Sequence, residues 1–230
     1  MIKAIIFDAD HTLYSIDAKN AYHKMFSYLS EESGLDPVQI KTVWRKQLCA
    51  VLESSDSRDI HKRKREYILG LTLDQLDVEK NKIGVMVEKA LDIFWSAVVD
   101  TLSEKPHTLE TIKILRGKGD ISLVIASDEY EKSLEMKLNR IFGEWEKYFE
   151  FLISSEVAGE LKPSDKYWEI ALEKLGVAPS EVAVVGDSWI RDLESPSRMG
   201  MVTILLSDEK KGEPTFFISD ISELENVLDV

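Results

Sequence analysis

Cysteine is nearly absent. Cys49 is the only one in 230 residues, so no intramolecular disulfide can form and no cysteine-rich zinc site can be assembled. A reducing cytoplasm is the expected setting. Long apolar runs are missing too: the longest, such as Ala4 to Phe7 and Val182 to Val185, fall far short of the roughly 20 residues that span a bilayer. The first residues carry no signal-peptide h-region. Basic residues are in deficit, with 29 Lys and Arg against 42 Asp and Glu and a formal charge of −13. A chain of this charge repels nucleic acid and anionic membranes, which argues against both as partners, although a local basic pocket can still hold a small anion. There is no internal repeat and no low-complexity tract.

Apolar material is ample, at 44% of residues with 31% charged, so the chain buries a full core and disorder is not expected. At roughly 150 residues per domain, the length predicts one main domain with a sizeable insertion. Residues 2 to 7 form a brief, β-branched apolar run ending abruptly at Asp8, as in a strand buried on both faces. Similar runs occupy Ile121 to Ala126, Phe151 to Ile153, Val182 to Val185 and Val202 to Leu206. Helical stretches lie between most of them; Trp168, Ala171, Leu172 and Leu175 repeat at helical spacing and Gly176 ends them. The alternation predicts an α/β fold, a parallel sheet covered by helices.

Over a hundred residues separate the first two strands, far more than one crossover helix requires. Ala18, Ala21, Tyr22, Met25, Phe26 and Leu29 form one amphipathic stripe there. A second helix opens at Asp36-Pro37 and buries Ile40, Val43, Trp44, Leu48, Val51 and Leu52; a third stripe runs through Ile83, Val87, Ala90, Leu91, Phe94 and Val98. The predicted division is an α/β domain of residues 1–14 and 105–230 with an all-helical subdomain at residues 15–104.

Ligands of open parallel sheets bind beyond the carboxyl ends of the strands. Asp8 and Asp10 follow the first strand, Ser127 the second, Lys162 lies in the loop after Phe151 to Ile153, and Asp187 and Asp192 follow Val182 to Gly186. Four carboxylates gathered in one place repel strongly unless a cation or a proton offsets them. Hard carboxylate oxygens suit Mg²⁺, while a Ser hydroxyl and a Lys ammonium suit a phosphate.

These residues stand in Phe7-Asp8-Ala9-Asp10-His11-Thr12-Leu13, Val124-Ile125-Ala126-Ser127, Gly159-Glu160-Leu161-Lys162-Pro163 and Gly186-Asp187-Ser188-Trp189-Ile190-Arg191-Asp192. In this order they resemble the four motifs of the haloacid dehalogenase (HAD) superfamily, in its phosphatase branch, and the helical insert falls where that family places a C1-type cap. The resemblance implies a HAD-like Rossmannoid core. It implies that Asp8 attacks phosphorus to form an aspartyl-phosphate, and that Asp10 protonates the leaving alcohol and then deprotonates water. It implies Mg²⁺ held by Asp8, the backbone carbonyl of Asp10 and Asp187, with Asp192 bound directly or through water. Ser127 and Lys162 would hold the phosphoryl group. Four carboxylates at about −4, one Mg²⁺ and Lys162 leave roughly −1, so a proton on Asp10 is expected. The implied substrate is a small phosphorylated metabolite of the sugar, triose or glycolate phosphate class.

The chain departs from the family at His11, where Gly is usual, and at Asp128, where Asn is frequent; the first is read as a tolerated side chain and the second as a helix cap. Ser195-Pro196 stands for a small Gly-Ala pair and predicts a short or bent helix. The run His61 to Arg65 is read as a solvated, ion-paired face, and Tyr14, Trp44, Trp95 and Trp189 as core rather than pocket lining. Two rival functions remain: a metal-independent 2-haloacid dehalogenase using Asp8 on carbon, and a non-enzymatic phosphate-binding or phospho-acceptor module. Asp10, Asp187 and Asp192 favour phosphate over carbon, and a helical insert is foreign to receiver-type modules.

Overall fold

A computed structural model of the chain describes residues 1–53 and 59–228. Along it run β1 (Ala4–Phe7), β2 (Tyr14–Ser15), α1 (Lys19–Ser33), α2 (Pro37–Glu53), α3 (Arg65–Gln75), α4 (Lys80–Thr101), β3 (Ser103–Glu104), α5 (Thr108–Gly117), β4 (Ser122–Ala126), α6 (Glu131–Phe142), β5 (Phe151–Ile153), α7 (Ser155–Ala158), α8 (Asp165–Leu175), β6 (Val182–Gly186), α9 (Glu194–Arg198), β7 (Val202–Leu206), β8 (Phe216–Ile218) and α10 (Leu224–Val227). They divide into two units, Met1–Ile16 with Leu102–Val230, and Asp17–Thr101.

The first unit is built on a six-stranded sheet in the order β5-β4-β1-β6-β7-β8, parallel at every pairing. Strand β1 sits between β4 and β6, and all four of its residues are buried, which is why its sequence is uninterrupted Ala-Ile-Ile-Phe rather than alternating. Phe7 lies level with Ile125 of β4 and Val185 of β6. That register brings Asp8, Ser127 and Asp187 out at one end of the sheet within two residues of the same level. One core layer joins Ile6, Val124, Ala126 and Val184 to Tyr167, Trp168 and Ala171 of α8. Gly176, at φ 66°, closes α8 by donating its N–H to the Leu172 carbonyl at 2.9 Å. The edge strands β5 and β8 are three residues long, against four or five for the inner strands.

Strand β8 adds to the five predicted from sequence. Phe216-Phe217-Ile218 is too short to show a period and stands close behind Pro214; the open edge of β7 gives it a partner. The two-residue strands β2 and β3 also escape sequence reading; they pair antiparallel, Tyr14 with Glu104 and Ser15 with Ser103. Beyond β6, Trp189–Leu193 forms a single π-helical turn followed by the five-residue α9, the short helix that Pro196 predicts.

The second unit is all-helical. Its core stacks Tyr22, Phe26, Trp44 and Phe94 with ring centroids 4.8–6.2 Å apart, so Trp44 belongs to the core. Asp36 caps α2, its carboxylate accepting the N–H groups of Val38 at 2.6 Å and Gln39 at 3.3 Å. Helix α3 is additional to the three expected. Tyr67, Ile68, Leu69, Leu71 and Leu73 surround it, with Gly70 among them, and leave no one-sided stripe to detect. Arg65, the last of the basic run, is not a purely solvated charge: its guanidinium lies 4.8 Å from the Phe94 ring and 4.9 Å from the Trp95 ring. Among the described residues no helix is long and apolar enough to cross a membrane.

Two measurements probe the α/β unit. Ile6→Ala, at a fully buried position of the central strand, is expected to lower stability by about 2–5 kcal/mol in chemical denaturation. His107 Nδ1 lies 2.9 Å from the Asp220 carboxylate, and this hydrogen bond, with the carboxylate charge, raises its pKa above the ordinary 6.5. A raised folded pKa gives a contribution that is complete below 6.5 and fades as the pH rises through the folded value. An NMR titration is expected to show His107 titrating above 6.5 and returning towards it in Asp220→Asn.

Candidate active site

The loop from Asp8 to Leu13 turns sharply after β1. The Ala9 carbonyl accepts the N–H groups of Thr12 and Leu13 at 3.3 and 2.9 Å, and His11 N–H donates to the Tyr14 carbonyl at 2.7 Å. His11 takes φ 66°, a left-handed conformation that costs roughly 1–2 kcal/mol for a residue bearing Cβ. Glycine avoids that cost, so His11 is tolerated at the expense of local strain.

Asp8 is buried at the β1 end. Its Oδ2 accepts the Thr12 hydroxyl at 3.0 Å and its Oδ1 accepts Lys162 Nζ at 2.5 Å. Lys162 also donates to Asp192 Oδ1 at 2.6 Å and the Ala126 carbonyl at 3.3 Å, so all three of its donors are used. Asp192 Oδ2 accepts Ser188 N–H at 3.1 Å. Asp187 is half-buried, and carboxylate oxygens of Asp8, Asp187 and Asp192 all lie within 4.8 Å of one another. Gly186 permits this approach, because a Cβ there would stand 2.5 Å from Asp192 Cβ. A cleft of about 190 Å³ lined by His11, Lys105, Asp187, Leu206, Ser207, Asp208 and Ser219 opens beside Asp187.

Three carboxylates around one ammonium leave a surplus of negative charge. Burial pushes the Asp8 carboxyl up to about 7; Lys162 opposes the shift and Asp192 adds to it. Burial and Asp192 raise Asp187 as well. Lys162 responds in the opposite sense: burial works against its charge, but Asp8 and Asp192 win and hold its pKa well above the ordinary lysine value. Hard oxygen donors from two strand ends, one of them open to the cleft, fit a small divalent cation such as Mg²⁺.

Asp10 stands apart from that cluster. Its carboxylate accepts the Tyr14 hydroxyl at 2.7 Å and Lys137 Nζ at 2.8 and 2.9 Å. Burial raises its pKa, but the Lys137 charge and the hydrogen bonds from Lys137 and Tyr14 outweigh burial and lower it. The proton expected on Asp10 is therefore displaced, in this arrangement, by a neighbouring ammonium from a distant helix. Lys137 was legible only as a lysine among Leu134, Leu138 and Phe142, the apolar positions of α6. Tyr14 is core, as expected, but its hydroxyl serves Asp10.

Ser127 is buried at the β4 end, its N–H donating to the Ile153 carbonyl at 2.9 Å and its hydroxyl accepting Glu129 N–H at 3.2 Å. Asp128 is not a helix cap. It accepts Lys162 N–H at 2.7 Å and pairs with the Arg191 guanidinium, tying together the loops that carry Ser127, Lys162 and Asp192. Sequence alone gave no sign of this bridge, since its members lie 34 and 63 residues apart.

The chain is similar to known hydrolases along its length. Pyrimidine 5'-nucleotidase YjjG of Escherichia coli is 24% identical over 233 residues, covering 97% of this chain and 96% of that protein. A glyceraldehyde 3-phosphate phosphatase of Methanopyrus kandleri is 27% identical over 214 residues, covering 89% and 83%. In fold, a 2-haloacid dehalogenase from Pseudomonas syringae superposes with a TM-score of 0.77 at 20% identity, covering 100% of this chain and 99% of that one. Residues 2–200 match the family described as haloacid dehalogenase-like hydrolase, and with its motifs at the ends of adjacent parallel strands the chain belongs to that family.

Proposed function

We propose that the chain is a Mg²⁺-dependent phosphomonoesterase acting on a small phosphorylated metabolite of the sugar, triose or glycolate phosphate class. The observation that carries this reading is the convergence of Asp8, Asp187 and Asp192 around Lys162. Relatives named for a nucleotide and for a triose phosphate support a small monoester as substrate. Asp10, Asp187 and Asp192 favour phosphate over the carbon centre of a 2-haloacid dehalogenase, and the neighbour of that name supports the fold alone. A cytoplasmic setting belongs to the same reading and is supported by the single cysteine. So does the division into a hydrolase core and a helical cap at residues 15–104.

In the proposed reaction an Asp8 oxygen forms a bond to phosphorus as the ester P–O bond breaks, and the leaving alkoxide takes a proton from Asp10. Water then attacks the aspartyl-phosphate, Asp10 accepts its proton, and inorganic phosphate leaves with Asp8 regenerated. Mg²⁺, held by Asp8, Asp187 and the Asp10 carbonyl, with Asp192 directly or through water, would supply charge neutralisation at the phosphoryl oxygens. Lys162 offsets the same charge, and the Ser127 hydroxyl donates to it. A phosphate dianion arriving beside Asp10 raises that carboxyl's pKa, which supplies the acid form when it is needed.

p-Nitrophenyl phosphate is expected to turn over with Mg²⁺, to stop turning over in EDTA and to resume when Mg²⁺ is returned. Turnover that survives EDTA would overturn the metal assignment. Asp8→Asn should lower kcat by on the order of 10³ or more with the melting temperature preserved, because Asn replaces a carboxyl already raised to about 7. Independently of activity, MgCl₂ is expected to raise the melting temperature of the native chain and not of Asp187→Asn.

A further inference from the structure

The proposed reaction gives no work to Lys137, whose side chain is 0% exposed. It projects from α6 among Leu134, Leu138 and Phe142, where an apolar side chain would fill the space without the penalty of a desolvated ammonium. Its partners explain its presence. Nζ donates to both oxygens of Asp10, at 2.8 and 2.9 Å, and to Glu129 Oε2 at 3.2 Å. Tyr14, also 0% exposed, donates its hydroxyl to Asp10 Oδ1 at 2.7 Å. Tyr14 is in turn fixed by β2, whose pairing with β3 anchors its backbone. Asp10 itself lies in a loop, and a loop carboxylate free to rotate would be a poor proton carrier; two buried donors of different geometry leave it one orientation.

We propose that Lys137 and Tyr14 are positioning residues, a buried clamp that aims the Asp10 carboxyl group at the leaving-group oxygen. The proposal rests on the phosphomonoesterase reading and deepens it. Tyr14 acts through Asp10, while Lys137 also holds Glu129, whose N–H donates to Ser127, so the dependence of the loss on the leaving group is what marks the part that passes through Asp10. Asp10 matters most when the departing oxygen is strongly basic and needs a proton as the bond breaks, and least when the departing anion is stable without one.

The test compares kcat/KM for p-nitrophenyl phosphate, a good leaving group, with kcat/KM for phenyl phosphate, a poor one of nearly the same shape. kcat/KM reports the step in which the ester bond breaks and is blind to the later hydrolysis of the aspartyl-phosphate. In Lys137→Met the ratio of the two values is expected to shift towards p-nitrophenyl phosphate by on the order of tenfold or more, a fraction of the full contribution of a general acid. Tyr14→Phe keeps the ring and the fold and should shift the ratio in the same direction by a smaller factor. It decides the matter if Lys137→Met fails to give a cooperative melt. Equal losses on both esters, or no loss, in the folded variants would overturn the clamp while leaving the phosphomonoesterase reading intact. Failure of the native chain to hydrolyse either ester with Mg²⁺ would overturn both.

Discussion

Parallel strands ending at a common level impose an electrostatic problem on this molecule. The register that sets Phe7 level with Ile125 and Val185 is dictated by apolar packing, yet it delivers acidic side chains from β1 and β6 to one place. Lys162 brings a positive charge into the group, shared between Asp8 and Asp192 at 2.5 and 2.6 Å. Its position is therefore as constrained as that of the acids. The backbone bond from Lys162 N–H to Asp128, itself paired with Arg191, holds the loop that delivers it. The sheet creates the charge surplus, and the loops exist in the form they do because they must hold it.

A second centre of charge lies one residue beyond Ala9. Asp8 and Asp10 are two positions apart in sequence, but their proton affinities diverge: burial pushes Asp8 up to about 7, with Lys162 opposing and Asp192 adding to the shift, whereas Lys137 and Tyr14 hold Asp10 low against its own burial. This order is the reverse of what a nucleophile and a proton carrier need; a divalent cation beside Asp8 would lower the first, and a phosphate dianion beside Asp10 would raise the second. Ala9 lies between them, and the turn that follows through His11 at φ 66° brings Tyr14 back to Asp10.

The strands were legible because a four- or five-residue apolar run that stops at a polar residue is too short for a buried helix and too apolar for a solvated loop. Of the six candidate site residues, Asp8, Asp10, Ser127 and Asp187 stand at or just beyond those stops, whereas Lys162 and Asp192 lie further along the following segments. What stayed hidden was carried by length or by distance along the chain. Strand β8 is too short to carry a pattern, and the apolar residues of α3 are spread around too much of its circumference to form a one-sided stripe, so neither has a period to read. Lys137 is 127 residues from Asp10, and the bridge from Asp128 to Arg191 spans 63; only folding makes such pairs. The family resemblance implied roles for the candidate residues but not the contacts of Lys137 and Asp128, which lie outside the quoted motifs.

Both borders of the sheet are abbreviated. With three residues each, β5 and β8 expose few unsatisfied amide and carbonyl groups along the open rims, too few to template a seventh strand from another chain. A molecule whose interior is a continuous parallel sheet of Val, Ile and Leu would otherwise be prone to rim-to-rim stacking at high concentration. Truncated margins let such a sheet exist singly, and lengthening either one by two or three β-branched residues would remove that protection.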